Sequence, residues 1–386
     1  MLEFKEFVDE MKKEVEKQFA SNYDVKVNEV KKTNDIVLTG ISVLPQDSKD
    51  KMNITPVVYL EPYYAKYEQG LSIAQVAHVL TDTISRELQY SQDAKRKLSE
   101  SLSKDNIIVK LVGRDINEDR VRSLPHIDVE DMTKEYKLLI AADQDQTMTA
   151  TVTFDLMNKL GIRSIEELDE LAIKNTARLL PPVAKNMGEI LFELGGEDIG
   201  MELESNSIVS MIVVSNEQRV NGANVILDAE FMQDIAMKEQ DNLLIMPSFL
   251  HECILVKASD IDLEAAHQMV KEVNMREVET EDKLTDSVYI YDKDSRRIEL
   301  AYNDMIRDVL SDVRKYGIES ELLNMHSELN NNKAFMLQAI AINNECFEVC
   351  SDRLKNDNNI LGVAISRNVE RIINADNRDD RDWGIR

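Results

Sequence analysis

Two β-branched segments separated by five residues constrain this chain most. Val25, Val27 and Val30 precede Lys31-Lys32-Thr33-Asn34-Asp35, and the run from Ile36 to Val43 follows. The Asn-Asp pair suits a tight turn, so the segments predict a hairpin and antiparallel pairing. Ahead of them Leu2, Phe4, Phe7, Val8, Met11, Val15 and Phe19 recur at spacings near three and four among Lys and Glu, which predicts an amphipathic helix over 2–19. A third strand is expected over 54–60, stopped by Pro62. Tyr59, Tyr63, Tyr64 and Tyr67 then lead through Gly70 into a helix over 73–90.

Further strands are expected over 106–113, 134–142, 147–154, 208–214, 243–246, 252–257 and 288–291. One pair turns at Asp143-Gln144-Asp145, and the last strand ends at Asp292-Lys293-Asp294-Ser295. Helices are expected over 164–179, 228–238 and 260–274. The first opens on Ser164-Ile165-Glu166-Glu167, a capping box whose hydroxyl and carboxylate satisfy free N–H groups, and stops at Pro181-Pro182. Strands and helices mix without strict β-α-β alternation, so the class is α+β with mixed, largely antiparallel sheets and packed helices. At 386 residues the chain exceeds the roughly 250–300 that one core organises. The expected division is two α+β subdomains, 1–160 and 161–300, followed by a helical tail, 301–386.

The tail contains an internal repeat. Residues 331–340 align with 356–365, an offset of 356 − 331 = 25, which also sets Leu329 on Leu354, Leu322 on Phe347 and Asn343 on Asn368. Asn331 and Asn356 are expected N-caps, and Ala339 and Ala364 allow close helix approach. A third copy is expected to begin near Ile372. Helical hairpins of this kind stack to bury their apolar faces and commonly present a surface to a partner, so a protein partner is expected through this tail.

Several short motifs carry a resemblance: Val37-Leu38-Thr39-Gly40-Ile41, Tyr59-Leu60-Glu61-Pro62-Tyr63-Tyr64, the stretch from Leu168 to Pro181, and Met246-Pro247-Ser248-Phe249-Leu250-His251-Glu252. On these, residues 1–300 resemble a bacterial family of unknown function, domain family 5688. The tail resembles a short helical repeat, also of unknown function, through Leu354-Lys355-Asn356-Asp357 and Val363-Ala364-Ile365. Neither resemblance implies a catalytic residue or a cofactor.

The formal charge is −26, from 72 acids and 46 bases spread along the chain. A field of that sign repels phosphate backbones, which argues against nucleic acid, and Lys95-Arg96-Lys97 reads as a solvated helix face. No apolar run approaches the roughly 18–20 residues that span a bilayer, and the opening residues lack the apolar core of a signal peptide. With three cysteines, Cys253, Cys346 and Cys350, a reducing, cytoplasmic setting is expected. Oligomeric state is not readable.

The most chemical-looking stretch is Pro247-Ser248-Phe249-Leu250-His251-Glu252-Cys253. His251 with Glu252, Ser248 or Cys253 could form a nucleophile–base pair, although on an extended segment His251 and Cys253 share one face while Glu252 points away. A local hydrogen bond by His251 at a strand end is the competing reading. His251-Glu252 is not followed by a second His at position 255, which is Leu. The remaining histidines show no ligand spacing, so no metal is expected. Cys346 and Cys350, at i and i+4, read as core fillers. Asp143-Gln144-Asp145 and Asp292-Lys293-Asp294 lack the rest of a calcium loop. Gly195-Gly196 has no phosphate-loop context, and the tyrosine cluster with Glu61 reads as packing. The leading expectation is a non-enzymatic interaction or regulatory protein. A hydrolase or transferase using His251 and an acidic decoy for a nucleic-acid-binding protein are the alternatives.

Overall fold

The structure, a computed structural model, describes residues 1–19, 21–46, 56–142, 147–190 and 210–367, the side chains of 90–95 and 248 aside. The fold is α+β, with antiparallel strand pairs, packed helices and a helical C-terminal region. The chain groups into two compact units. One comprises Met1–Ile127, Thr133–Leu179 and Thr280–Asp282, the other Asp128–Met132, Leu180–Glu279 and Lys283–Arg386. This grouping differs from the three consecutive segments expected above. Among the described residues no helix is long and apolar enough to cross a membrane.

The first unit opens with α1 (Phe4–Phe19), β1 (Tyr23–Lys31), β2 (Val37–Pro45), β3 (Val57–Tyr59), α2 (Glu61–Glu68) and α3 (Ile73–Ser101). Strands β1 and β2 pair antiparallel from Tyr23↔Pro45 to Lys31↔Val37, and β3 lies beside β2. At the hairpin turn Asn34 and Asp35 take φ values of 61° and 55°. Asn and Asp tolerate this left-handed region because their short side chains hydrogen-bond locally. Phe7, Met11 and Val15, spaced by four, are fully buried with Ile41, Val43, Leu60, Val76, Leu80 and Ile84. Each such large side chain contributes about 1.5–3 kcal/mol relative to exposure, so this stripe anchors α1. The segment 61–68, expected only as a lead-in, is helical, with Pro62 in its first turn where no N–H partner is required.

Next along the chain come β4 (Ile107–Gly113), α4 (Glu118–Val121), β5 (His126–Val129), β6 (Met132–Ala142), β7 (Thr147–Thr151), α5 (Phe154–Lys159) and α6 (Ile165–Leu179). Sheet order is β4-β6-β5, with β7 on β6. The strand expected to reach residue 154 stops earlier, because the Thr153 side chain accepts the Leu156 N–H and caps α5. At α6 the Ser164 hydroxyl accepts the Glu167 N–H at 3.1 Å, while the Glu167 carboxylate accepts from the Arg163 N–H. Helix α6 is tied to β4 where Thr176 Oγ1 accepts the Val109 N–H at 2.9 Å.

The second unit holds β8 (Pro182–Asn186), β9 (Ile212–Asn216), a 3-10 turn (Gly222–Leu227), α7 (Ala229–Glu239), β10 (Leu243–Phe249), β11 (Glu252–Lys257), α8 (Leu263–Arg276), β12 (Val288–Asp292) and β13 (Arg297–Tyr302). They form a six-stranded sheet in the order β13-β12-β10-β11-β9-β8, antiparallel throughout. Two strands were not expected. Pro182 opens an edge strand, a position that needs no N–H, and the Asp292–Ser295 turn returns the chain into β13.

The tail contains α9 (Asp304–Tyr316), α10 (Glu321–Met325), a 3-10 turn (Ser327–Asn331), α11 (Lys333–Ile342), α12 (Cys346–Val349), α13 (Asp352–Lys355) and a helix over 358–367. The N-caps are Asn332, which accepts the Phe335 N–H at 2.8 Å, and Asp357, which accepts the Ile360 N–H at 3.2 Å. Their separation is 357 − 332 = 25 residues. This corrects the expected caps by one residue. Asn331 instead accepts from the Ser351 hydroxyl and Arg353, and the Asn356 amide donates to the Asp352 carbonyl. Helix α11 lies on β13, where Asn332 Nδ2 donates to Leu300 O at 2.7 Å and Gln338 Nε2 to Ala301 O at 3.1 Å. The Asp143–Asp145 turn, residues 54–55 and 208–209 of two expected strands, Gly195-Gly196 and the third copy near Ile372 lie outside the described residues.

Candidate functional site

The segment singled out by sequence joins β10 to β11 in a tight hairpin, with Leu250 and His251 at the turn. His251 is therefore not on an extended segment, and the expected shared face with Cys253 does not arise. Its Nδ1 accepts the Asn221 N–H at 3.1 Å, which places the ring hydrogen on Nε2. Its ring meets Phe249 edge-on at 5.0 Å, and its carbonyl accepts the Ser215 hydroxyl at 2.6 Å. Asn221 is itself left-handed, with φ 50°, and Asn216 bridges the Val220 N–H and carbonyl. At Gly222 a Cβ would stand 2.2 Å from His251 O and 2.1 Å from Ser215 Oγ, so only glycine allows this approach.

Cys253 is buried within β11, its Sγ 3.8 Å from Ala223 O, and burial pushes its thiol well up, away from the nucleophilic thiolate. Glu252 pairs with Phe249 in the strand register. The Ser248 side chain lies outside the described residues. The structure thus gives His251 a local, turn-holding hydrogen bond and gives Cys253 a place in the core. Cys346 and Cys350 are likewise buried, and burial raises both thiols to about 11. Among the described residues no group of three His, Cys, Asp or Glu is arranged to hold a metal.

A denser set of charges sits in the first unit, where sequence reading found nothing. Glu135 of β6 is 1% exposed. Its Oε2 meets Arg120 Nη1 at 2.5 Å, and its Oε1 lies 3.2 Å from Lys137 Nζ and 3.8 Å from Lys110 Nζ. Lys110, on β4, also donates to Thr33 Oγ1 at 3.1 Å. Arg120 donates to Asn117 Oδ1, which also accepts the Asn34 N–H at 2.9 Å, and Asn117 Nδ2 donates back to Asn34 Oδ1 at 2.8 Å. Asn34 Nδ2 reaches Thr280 O at 2.7 Å. The left-handed hairpin turn, β4, α4 and β6 therefore converge on one carboxylate. Burial opposes ionisation of Glu135, yet Lys137, Arg120 and Lys110 together hold its carboxyl below the usual range. Lys110 is governed by the opposite balance, since burial outweighs the attraction of Glu135 and pulls its ammonium down to about 8.

Residues 4–293 match the model of a family of unknown function, DUF5688. The chain belongs to that family. No curated protein and no solved structure matches it. The DUF5688 region includes His251 and every residue of the Glu135 cluster, and it ends one residue past β12. Strand β13 and the tail helices follow it, yet they share a charge network with it. Lys333 Nζ, at the first turn of α11, lies 2.8 Å from Asp292 of the DUF5688 region and 3.0 Å from Asp357 of the tail. Burial opposes the Lys333 charge, but the hydrogen bonds to Asp292 and Asp357 outweigh it and raise the ammonium above its usual value. Burial likewise opposes ionisation of both aspartates, while Lys333 and backbone N–H groups hold their carboxyls low.

Proposed function

We propose that this chain is a non-enzymatic protein-interaction or regulatory protein whose C-terminal helical units supply the surface for a protein partner. The observation behind this reading is an inequality between positions 25 residues apart. Phe335 and Ile360 are both fully buried, and Ala339 and Ala364 are 0% and 5% exposed, so both helices cover the same inner face. Ile340 is 0% exposed, whereas its counterpart Ile365 is 61% exposed. An apolar position left open on a stacked helical unit is how repeat arrays present binding faces.

The alternative of a hydrolase or transferase using His251 finds less support, because Nδ1 is occupied by a backbone N–H and Cys253 is a buried thiol. The decoy alternative is also weaker, since exposed carboxylates on α1 and α9 are interleaved with basic residues that pair with them, as in Lys13–Glu10 and Arg307–Asp304.

Quantitative affinity capture from native extract, comparing the full chain with Ile365→Asp, tests the proposal. The expected outcome is a protein enriched by the parent chain and lost with the variant, at unchanged melting temperature. No enriched protein, or equal capture by a folded variant, would overturn the reading.

A further inference from the structure

We propose that Lys134 and Asp169 condense into an isopeptide bond that ties β6 to α6. Lys134 and Tyr136, two residues apart on one strand, project from the same face of β6. Both reach one carboxylate on α6. Lys134 Nζ lies 2.6 Å from Asp169 Oδ2, and the Tyr136 hydroxyl donates to Asp169 Oδ1 at 2.9 Å. The site is closed, with the Lys134 side chain 8% exposed, that of Asp169 15% and Tyr136 1%. Among the described residues neither Lys134 nor Asp169 makes a second ion pair, whereas Glu135 is shared by three cations and Lys333 by two aspartates. One amine therefore faces one carboxyl, with a hydroxyl on the oxygen that the amine does not touch.

The condensation balances within the pair and needs no other reagent. A proton shifts from the ammonium to Oδ2, which leaves a neutral amine beside a neutral acid and removes two charges that are costly to keep out of water. The Nζ lone pair then attacks Cγ, an N–C bond forms, and the C=O π pair moves onto Oδ1, where the Tyr136 hydroxyl stabilises it. As that pair returns, the Cγ–Oδ2 bond breaks and Oδ2 departs as water, carrying a second proton from the nitrogen. Burial and the adjacent Asp169 push the Tyr136 hydroxyl far above its ordinary value, so it stays a donor throughout. Packing of the strand against the helix makes the step intramolecular, and the exclusion of water opposes hydrolysis of the product.

The test is mass spectrometry of the full chain after incubation at neutral pH. The expected result is an intact mass lower by one water than the sequence requires. A tryptic digest is expected to contain a branched peptide that joins the Lys134 and Asp169 segments and stays uncut after Lys134. These readings use the parent chain and do not depend on a variant folding. Asp169→Ala is expected to lose the branched peptide, and Tyr136→Phe, which keeps both reacting groups, to yield less of it at equal times after synthesis. An intact mass equal to that of the sequence, with normal cleavage after Lys134, overturns the proposal. So does a loss of water confined to a linear peptide, which marks a succinimide at an aspartate instead.

Discussion

Glu135 neutralises its neighbours unequally, and the inequality is open to measurement. Arg120 has the direct contact, Lys137 the shorter lysine distance, and Lys110 the longer one. Lys110 is lowered in the folded state to about 8 from 10.5. Between those values the unfolded chain binds a proton that the folded chain does not, so stability rises with pH across that window. Below about pH 8 both states are protonated and the penalty is constant. The expected contribution is up to roughly 3 kcal/mol from end to end. Denaturant unfolding at a series of pH values, read as the difference between the parent and Lys110→Met, checks it. A difference that does not change with pH across the window would show that burial does not depress this lysine. Little of this was legible in the sequence, because Thr33, Lys110, Arg120 and Glu135 come from separate parts of the chain. The one local hint was Lys134-Glu135-Tyr136-Lys137, charged residues placed inside a strand where the neighbouring positions are apolar. His251 shows the converse: its sequence neighbours suggested chemistry, but a turn at Leu250-His251 directed its ring to a backbone amide.

At the scale of elements, periodicity served well where an apolar stripe was long. The stripe Phe7, Met11, Val15 placed α1, and the Asn-Asp turn placed the β1–β2 hairpin. It served poorly for short strands: β8 begins at a proline that reads as a breaker, and β13 follows a turn that reads as an end. The caps shifted by one residue because Asn331-Asn332 and Asn356-Asp357 each offer two capping side chains. Only the folded backbone decides which one meets the N–H three residues on. Asp357 does two jobs that substitutions can separate. Asp357→Asn keeps a capping oxygen and loses the charge facing Lys333, while Asp357→Ala loses both. The alanine variant is expected to be less stable than the asparagine variant by about 1 kcal/mol, the usual worth of a cap. Lys333→Ala is expected to cost about 3 kcal/mol, because it leaves Asp292 and Asp357 without their shared cation. Asp292 and Asp357 have carboxyls held below 3.8, so their contribution is present above that pH and is lost as pH falls through the lowered values. Thermal melts of the three variants at neutral pH, repeated in acid, check the ranking. The differences should shrink once the carboxylates are protonated.

At the scale of the whole molecule, the path of the chain decides what can be removed. The second unit is assembled from Asp128–Met132, Leu180–Glu279 and Lys283–Arg386, so a cut at residue 300 falls inside it. The cut also falls inside β13, whose Leu300, Ala301 and Tyr302 are all buried. Tyr302 meets His267 with tilted rings 5.5 Å apart, Lys271 of α8 pairs with Asp304 at 2.8 Å, and Glu299 meets Arg353. A chain ending at residue 300 therefore loses the end of an edge strand, the helix that lies along it and Lys333, the cation 2.8 Å from Asp292. If the tail folded as an independent appendage, the remaining body would melt as the parent does. The contacts argue for the other outcome. The shortened chain is expected to melt lower by on the order of 10 °C, as follows from a loss of about 3 kcal/mol in a unit of this size, and to bind a hydrophobic dye through the uncovered face of β13. Differential scanning fluorimetry of the two chains distinguishes the cases, and equal melting temperatures would assign the tail to a domain of its own.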